Sequence, residues 1–134
     1  MPSVSGFYMP TFYYQENKTK GVIIMEFKKG DILKHCKGFD VLIISKIENY
    51  ILYSKEVKNG LYEGVDFWIR PVDMFYDNHA SGVPRFKLIE SLTEEKIGYI
   101  DKYNEYKRYE IARHSETLEY YVIDLINNNI ITKI

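Results

Sequence analysis

The sequence predicts a mainly β protein: a small barrel, then a short helix, then a C-terminal β-hairpin. Three observations carry this. Short runs rich in β-branched and aromatic residues recur between residues 27 and 89, with turn signals at close intervals. A stretch with helical spacing follows over residues 93–103. The aromatic set is 13 Tyr and 7 Phe against a single Trp, and Tyr suits half-buried strands because its ring packs while its hydroxyl reaches water.

Taken in order, residues 1–24 show no sustained period of either kind. Lys20-Gly21-Val22 is compatible with codons AAA-GGA-GTG, a strong bacterial ribosome-binding sequence a short spacer ahead of Met25. Two readings therefore stand: a translated leader with the native start at Met25, or an N-terminal strand over residues 21–27. Residues 25–90 form the expected barrel module. Its first strand covers residues 27–33 and is interrupted by a Gly30-Asp31 turn signal. Lys37-Gly38 marks a turn. Residues 39–45 are an apolar run too short for a helix, hence a buried strand. Glu48-Asn49 joins it to Tyr50-Ile51-Leu52-Tyr53-Ser54 in a hairpin. Asn59-Gly60 marks another turn. In residues 66–70, alternation puts Phe67 and Ile69 on one face and Trp68 and Arg70 on the other. Pro71, lacking a backbone donor, stops that strand. Ser81-Gly82 is the last turn before a strand over residues 83–89. Ser91 and Glu94 have capping-box spacing, and Ile97, Ile100 and Tyr103 share one helical face.

Three motifs stand in order: Lys34-His35-Cys36-Lys37-Gly38-Phe39-Asp40-Val41, then Phe67-Trp68-Ile69-Arg70-Pro71-Val72-Asp73-Met74-Phe75, then Gly82-Val83-Pro84-Arg85-Phe86. Together they resemble the bacterial domain of unknown function sixteen-fifty-three. The resemblance covers about half the chain and implies an SH3-like barrel, with no activity attached. That family also carries an Ala-Arg-His-Ser-Glu-Thr-Leu-Glu segment between its second and third strands. The central module lacks it, but it stands intact as Ala112-Arg113-His114-Ser115-Glu116-Thr117-Leu118-Glu119. Residues 91–134 thus read as a helix and a partial second copy, an internal repeat with one degenerate and one truncated member. A half-barrel has an unpaired edge, so it is expected to pair with the first module or with a second chain, for instance as a homodimer through the C-terminal hairpin.

The net charge is -1, from 18 basic and 19 acidic residues, which supplies no broad positive field for nucleic acid. One cysteine, Cys36, excludes an intrachain disulfide and fits a reducing cytoplasm. No apolar run approaches a membrane span. One cysteine and three histidines make a poor zinc set, and no cofactor is expected.

The candidate ligand-binding residues are Arg113, His114, Ser115, Glu116, Trp68, Arg70 and Arg85. A guanidinium, an imidazole, a hydroxyl and a carboxylate in a row can hold an anion or exchange protons. Equally, Ser115-Glu116-Thr117 can be a hairpin turn with Arg113 paired to Glu119, and strand alternation separates Arg113 from His114. Trp68 and Arg70 can form a recognition surface by cation–π stacking. The alternative is barrel packing, with Arg70 and Arg85 meeting carboxylates such as Asp73. The leading expectation is a non-catalytic binding module for a peptide or small anionic ligand. The alternatives are a small enzyme or ligand-sequestering protein whose site is assembled from the two partial copies, and a decayed gene product that still folds. An open surface with Trp68 partly exposed fits the first. His114 beside a second titratable group in a concave pocket fits an enzyme, and a poorly packed C-terminal hairpin fits a decayed product.

Overall fold

The computed structural model describes residues 26–55 and 66–134. The leader-or-strand question and the Asn59-Gly60 turn lie outside these residues. Among them are β1 (Asp31–His35), β2 (Asp40–Ile47), β3 (Tyr50–Ser54), β4 (Phe67–Pro71), β5 (Phe86–Ser91), α1 (Glu94–Tyr106), β6 (Tyr109–His114), β7 (Tyr120–Asp124) and β8 (Asn129–Lys133). A 3-10 turn over Val72–Phe75 follows β4. The fold is mainly β, a small barrel-like unit followed by one helix and C-terminal strands.

All described strands belong to one sheet, in the order β5-β1-β2-β3-β4-β6-β7-β8. Every neighbouring pair is antiparallel except β4 with β6, which run parallel. The parallel pair follows from connectivity. The chain crosses from β5 back to β4 through α1, and parallel neighbours need such a crossover. The second segment therefore pairs with the first within the same chain.

The sheet curls. Four steps of sheet order separate β5 from β4, roughly 19 Å if the sheet were flat. Yet Phe86 of β5 stacks on Phe75, just past β4, with ring centroids 4.5 Å apart. Curling encloses one core on the inner face: Leu33, Val41, Ile43, Ile51, Tyr53, Phe75 and Phe86 are all buried. The other face carries a second core. Ile44, Ile47, Leu52, Ile69, Ala112 and Ile123 are fully buried there, with Ile97, Ile100 and Tyr103 of α1 packed against them. Each of the Leu, Ile, Val and Phe side chains among them contributes roughly 1.5–3 kcal/mol by leaving water. Among the described residues the sheet ends at β5 and β8, so the curled unit is barrel-like.

Several boundaries move for identifiable reasons. The first strand begins at Asp31, not at residue 27. Lys28 and Lys29 are spent on a turn in which the Asp31 carboxylate accepts from the Lys28 amide at 2.9 Å and from Ser91 Oγ at 2.7 Å. Gly30 sits there at φ +88°, and a Cβ on it would lie 2.7 Å from Ile97 Cγ1. Glycine is needed both for the left-handed backbone and for the approach of α1. The strand expected from residue 83 starts at Phe86, because residues 79–83 close a turn through His79 N–H to Val83 O and Gly82 N–H to His79 O, both 2.8 Å. Helix α1 is capped by Thr93, whose hydroxyl accepts from Lys96 N–H, and not by Ser91, which belongs to β5. The helix runs three residues past Tyr103. The C-terminal hairpin gains a third strand, β8.

Candidate functional site

The parallel register between β4 and β6 sets Trp68 beside Arg113 and Ile69 beside His114. Because side chains alternate, Trp68, Arg70 and Arg113 face away from α1, while Phe67, Ile69, Ala112 and His114 face the helix side. Six of the seven candidates gather on or near the inner face. The seventh, His114, stands apart. It is buried edge-on against Tyr50 with centroids 5.5 Å apart, and its Nδ1 accepts from the Glu116 amide at 3.0 Å. This bond closes the turn of residues 115–117, so the imidazole shapes the loop.

Arg70 is the hub of the inner face. It is 9% exposed, donates from Nε to Met74 O at 3.1 Å, and pairs with the Glu116 carboxylate at 3.2 Å. Ser115 Oγ donates to the same carboxylate at 3.2 Å. Tyr53, at the far side of Arg70, has its phenol pushed up to about 12 by burial, with the Arg70 charge pulling the other way. Ser115 and Glu116 are thus engaged in tying the β6–β7 turn onto the barrel. Arg85 forms a two-point ion pair with Asp77, at 2.7 and 3.0 Å, and that bond raises its already high pKa. The arginine–carboxylate pairing expected of the packing alternative does form, but with Glu116 and Asp77 and not with exposed Asp73. Arg113 does not pair with Glu119. Its Nε donates to Leu118 O at 3.0 Å, and Glu119 bonds Lys133 at 3.0 Å.

What remains available centres on Trp68. Its indole is half-buried, with Lys55 Nζ 4.1 Å from the ring centroid and the Arg113 guanidinium carbon at 5.9 Å. Arg113 also lies 5.0 Å from the Tyr120 ring. A cleft of about 370 Å³ opens beside this group. Asp66, Phe67 and Trp68 form one wall, Glu110, Ile111 and Arg113 a second, and Tyr103, Lys107 and Tyr120 the rim. It falls within the size range of small-ligand sites, and His114 does not line it.

Burial and neighbouring cations act together on two groups of this face, with the Glu116 and Asp77 carboxylates standing among the arginines. The His35 imidazole is pulled down to about 4, first by burial and then by the positive charges of Arg70, Arg85, Lys37 and His79. The Lys55 ammonium is also lowered, by burial and by Arg70. Two separate groups thus register a cationic field. Among the described residues, neither Lys55 nor Arg113 forms an ion pair. Lys55 was not among the sequence candidates. It lies one residue beyond β3, and only the β3–β4 register, Tyr53 opposite Trp68, brings it near the indole.

Among the described residues no cluster of three His, Cys, Asp or Glu side chains is placed to hold a metal. No helix among them is long and apolar enough to cross a membrane. No protein-family model matches the sequence, and no match is found among curated proteins or solved structures.

Proposed function

We propose that the protein is a non-catalytic binding module that holds a peptide or a small anionic ligand at the Trp68–Arg113 face. The observation that carries this is the indole set between two cations, Lys55 and Arg113, that have no carboxylate partner among the described residues. An anion there neutralises charge that no ion pair among the described residues compensates, and the half-buried aromatic ring supplies contact area. The free, exposed thiol of Cys36 supports a reducing, cytoplasmic setting.

A ligand-sequestering protein with a composite site is the second reading. It is favoured by the cleft, whose walls come from β4 of the first segment and from α1, β6 and β7 of the second. Catalysis finds less support, since His114 lies on the opposite face. Ala112 and Ile123 are fully buried, which speaks against a decayed, poorly packed hairpin. In the resemblance to domain of unknown function sixteen-fifty-three, the Trp68-Ile69-Arg70-Pro71 and Val83-Pro84-Arg85-Phe86 motifs are both barrel-forming. Arg70 lying 5.9 Å from the Phe86 ring is consistent with that.

Trp68 is the chain's one tryptophan, so its emission reports this face alone. Titration with citrate, inorganic phosphate and short aspartate peptides is expected to shift the emission with at least one of them. Arg113→Gln should weaken that response about tenfold, the loss of one charge-assisted contact. An emission unmoved by every anion at low salt overturns the proposal.

A further inference from the structure

Among the described residues, the inner face is covered over β1–β4 and exposed over β6–β7. On β6, alternation puts Tyr109, Ile111 and Arg113 on that face, and the register sets Val122 opposite Ile111 and Tyr120 opposite Arg113. Tyr109 and Ile111 are each 52% exposed and Tyr120 is 46% exposed. These side chains continue directly from Trp68, so aromatic and aliphatic surface surrounds one guanidinium. Four of the carboxylates nearby are engaged, Asp124 with Arg108, Glu119 with Lys133, Glu116 with Arg70, and Glu110 with the Tyr103 hydroxyl; exposed Asp66 stands at the cleft wall against the cations Lys55, Lys107 and Arg113. The complement to this face is therefore apolar with negative charge set into it.

Length separates a peptide from a free anion. Tyr109 to Arg113 is four residue steps along the strand, roughly 13 Å. A small anion on Arg113 leaves Tyr109 and Ile111 in water, whereas an extended chain covers all three. Exposed patches of this kind on a sheet face mark interaction sites.

We propose that an extended segment of a partner protein, with carboxylates alternating with apolar side chains, docks across the β6–β7 face beside Trp68. One carboxylate meets Arg113, and the apolar side chains lie on Tyr109, Ile111 and Tyr120. This rests on the reading that the Trp68–Arg113 face binds anions, and it names the class of ligand. Attraction through Arg113 and Lys55 makes the binding weaken as salt rises.

The test uses the full chain and three probes: a blocked hexapeptide alternating Asp with Leu and Phe, the same peptide with Lys for Asp, and inorganic phosphate. Trp68 emission and backbone amide shifts of β6–β7 are read together. The acidic peptide is expected to bind, with Arg113→Gln and Ile111→Ser each weakening it about tenfold while the unfolding midpoint stays unchanged. Phosphate shifting the emission while the acidic peptide binds no better overturns the peptide but leaves the anion-binding reading standing. Silence from both overturns both. Equal binding of the basic peptide, or loss in Arg113→Gln with none in Ile111→Ser, overturns the alternating-segment pattern. Amide shifts that grow with protein concentration alone assign the face to a second copy of the chain and overturn the proposal.

Discussion

The barrel strands β1–β5 and the C-terminal strands β6–β8 end their turns with the same device but surround it differently. His35 closes β1 and His114 closes β6. In each case Nδ1 accepts the amide two residues on, at 3.0 Å, from Lys37 and from Glu116. The backbone N–H of each donates to the returning strand, to Phe39 O at 2.7 Å and to Glu119 O at 2.8 Å. His35 lies on the inner face, stacked on Phe39 and edge-on to Phe86. His114 lies beneath the helix side, against Tyr50. One local sequence chemistry thus serves two opposite faces, and the burial around it is decided by tertiary packing. Among the described residues, the central barrel strands β2–β4 have both faces covered, whereas β6 and β7 have one. Stability is concentrated in the first region and accessible chemistry in the second.

The largest expected effect tests that division. Leu52 is fully buried in β3, and Leu52→Ala is expected to cost about 3 kcal/mol in chemical denaturation through lost burial and a cavity. Ile111→Ala, at a half-exposed position, should stay within about 0.5 kcal/mol. Comparable costs at the two sites would mean that the β6–β7 face is covered after all.

Much of this was legible in the sequence. The β-branched run before Glu48-Asn49 and the YILYS strand are where periodicity placed them, because local pattern and tertiary burial agree. Alternation alone separated Trp68 and Arg70 from Phe67 and Ile69, and Arg113 from His114. What pattern lacked was partner identity. Nothing local says that Glu116 belongs to Arg70, 46 positions earlier in the numbering, or that Asp77 outcompetes Asp73 for Arg85. The capping box at Ser91 failed because β5 claimed that serine and Thr93 offered an equally good cap. Lys55 was missed because cation–π contacts across a sheet leave no trace in spacing.

Acid titration separates the two regions next. The folded His35 value of about 4 lies below the ordinary 6.5. The unfolded chain therefore binds a proton first, and stability is full above about pH 6.5 and falls as pH drops toward 4. The loss is on the order of 2 kcal/mol. Asp124, in the C-terminal turn, is held down to about 2, first by Arg108 and then by the Asn127 amide. Its contribution is intact above the usual carboxylate value of about 4 and is lost as pH falls toward 2. Denaturation midpoints measured from pH 8 to 2.5 should show the barrel weakening first. His35→Asn, which keeps an acceptor for Lys37 N–H, should flatten the upper window, and Asp124→Asn the lower one. An upper window unchanged in His35→Asn would assign it to another group.

The smallest effect concerns the seam between the regions. The β6–β7 turn is held against the barrel by the short parallel ladder of β4 with β6, by Ser115 N–H donating to Ile69 O at 2.9 Å, by the His114–Tyr50 ring contact, and by the Arg70–Glu116 pair. The Arg70 side chain is 10% exposed and that of Glu116 43% exposed, so the pair is only half withdrawn from water. Such a pair contributes about 1 kcal/mol, and stripping its partner leaves the guanidinium with the Met74 carbonyl but no charge to match. A double-mutant cycle of Arg70→Gln with Glu116→Gln is expected to give a coupling near 1 kcal/mol, reduced at high salt. A coupling near zero would assign the seam to the backbone bonds and the His114–Tyr50 ring contact, with the ladder by itself holding Trp68 beside Arg113.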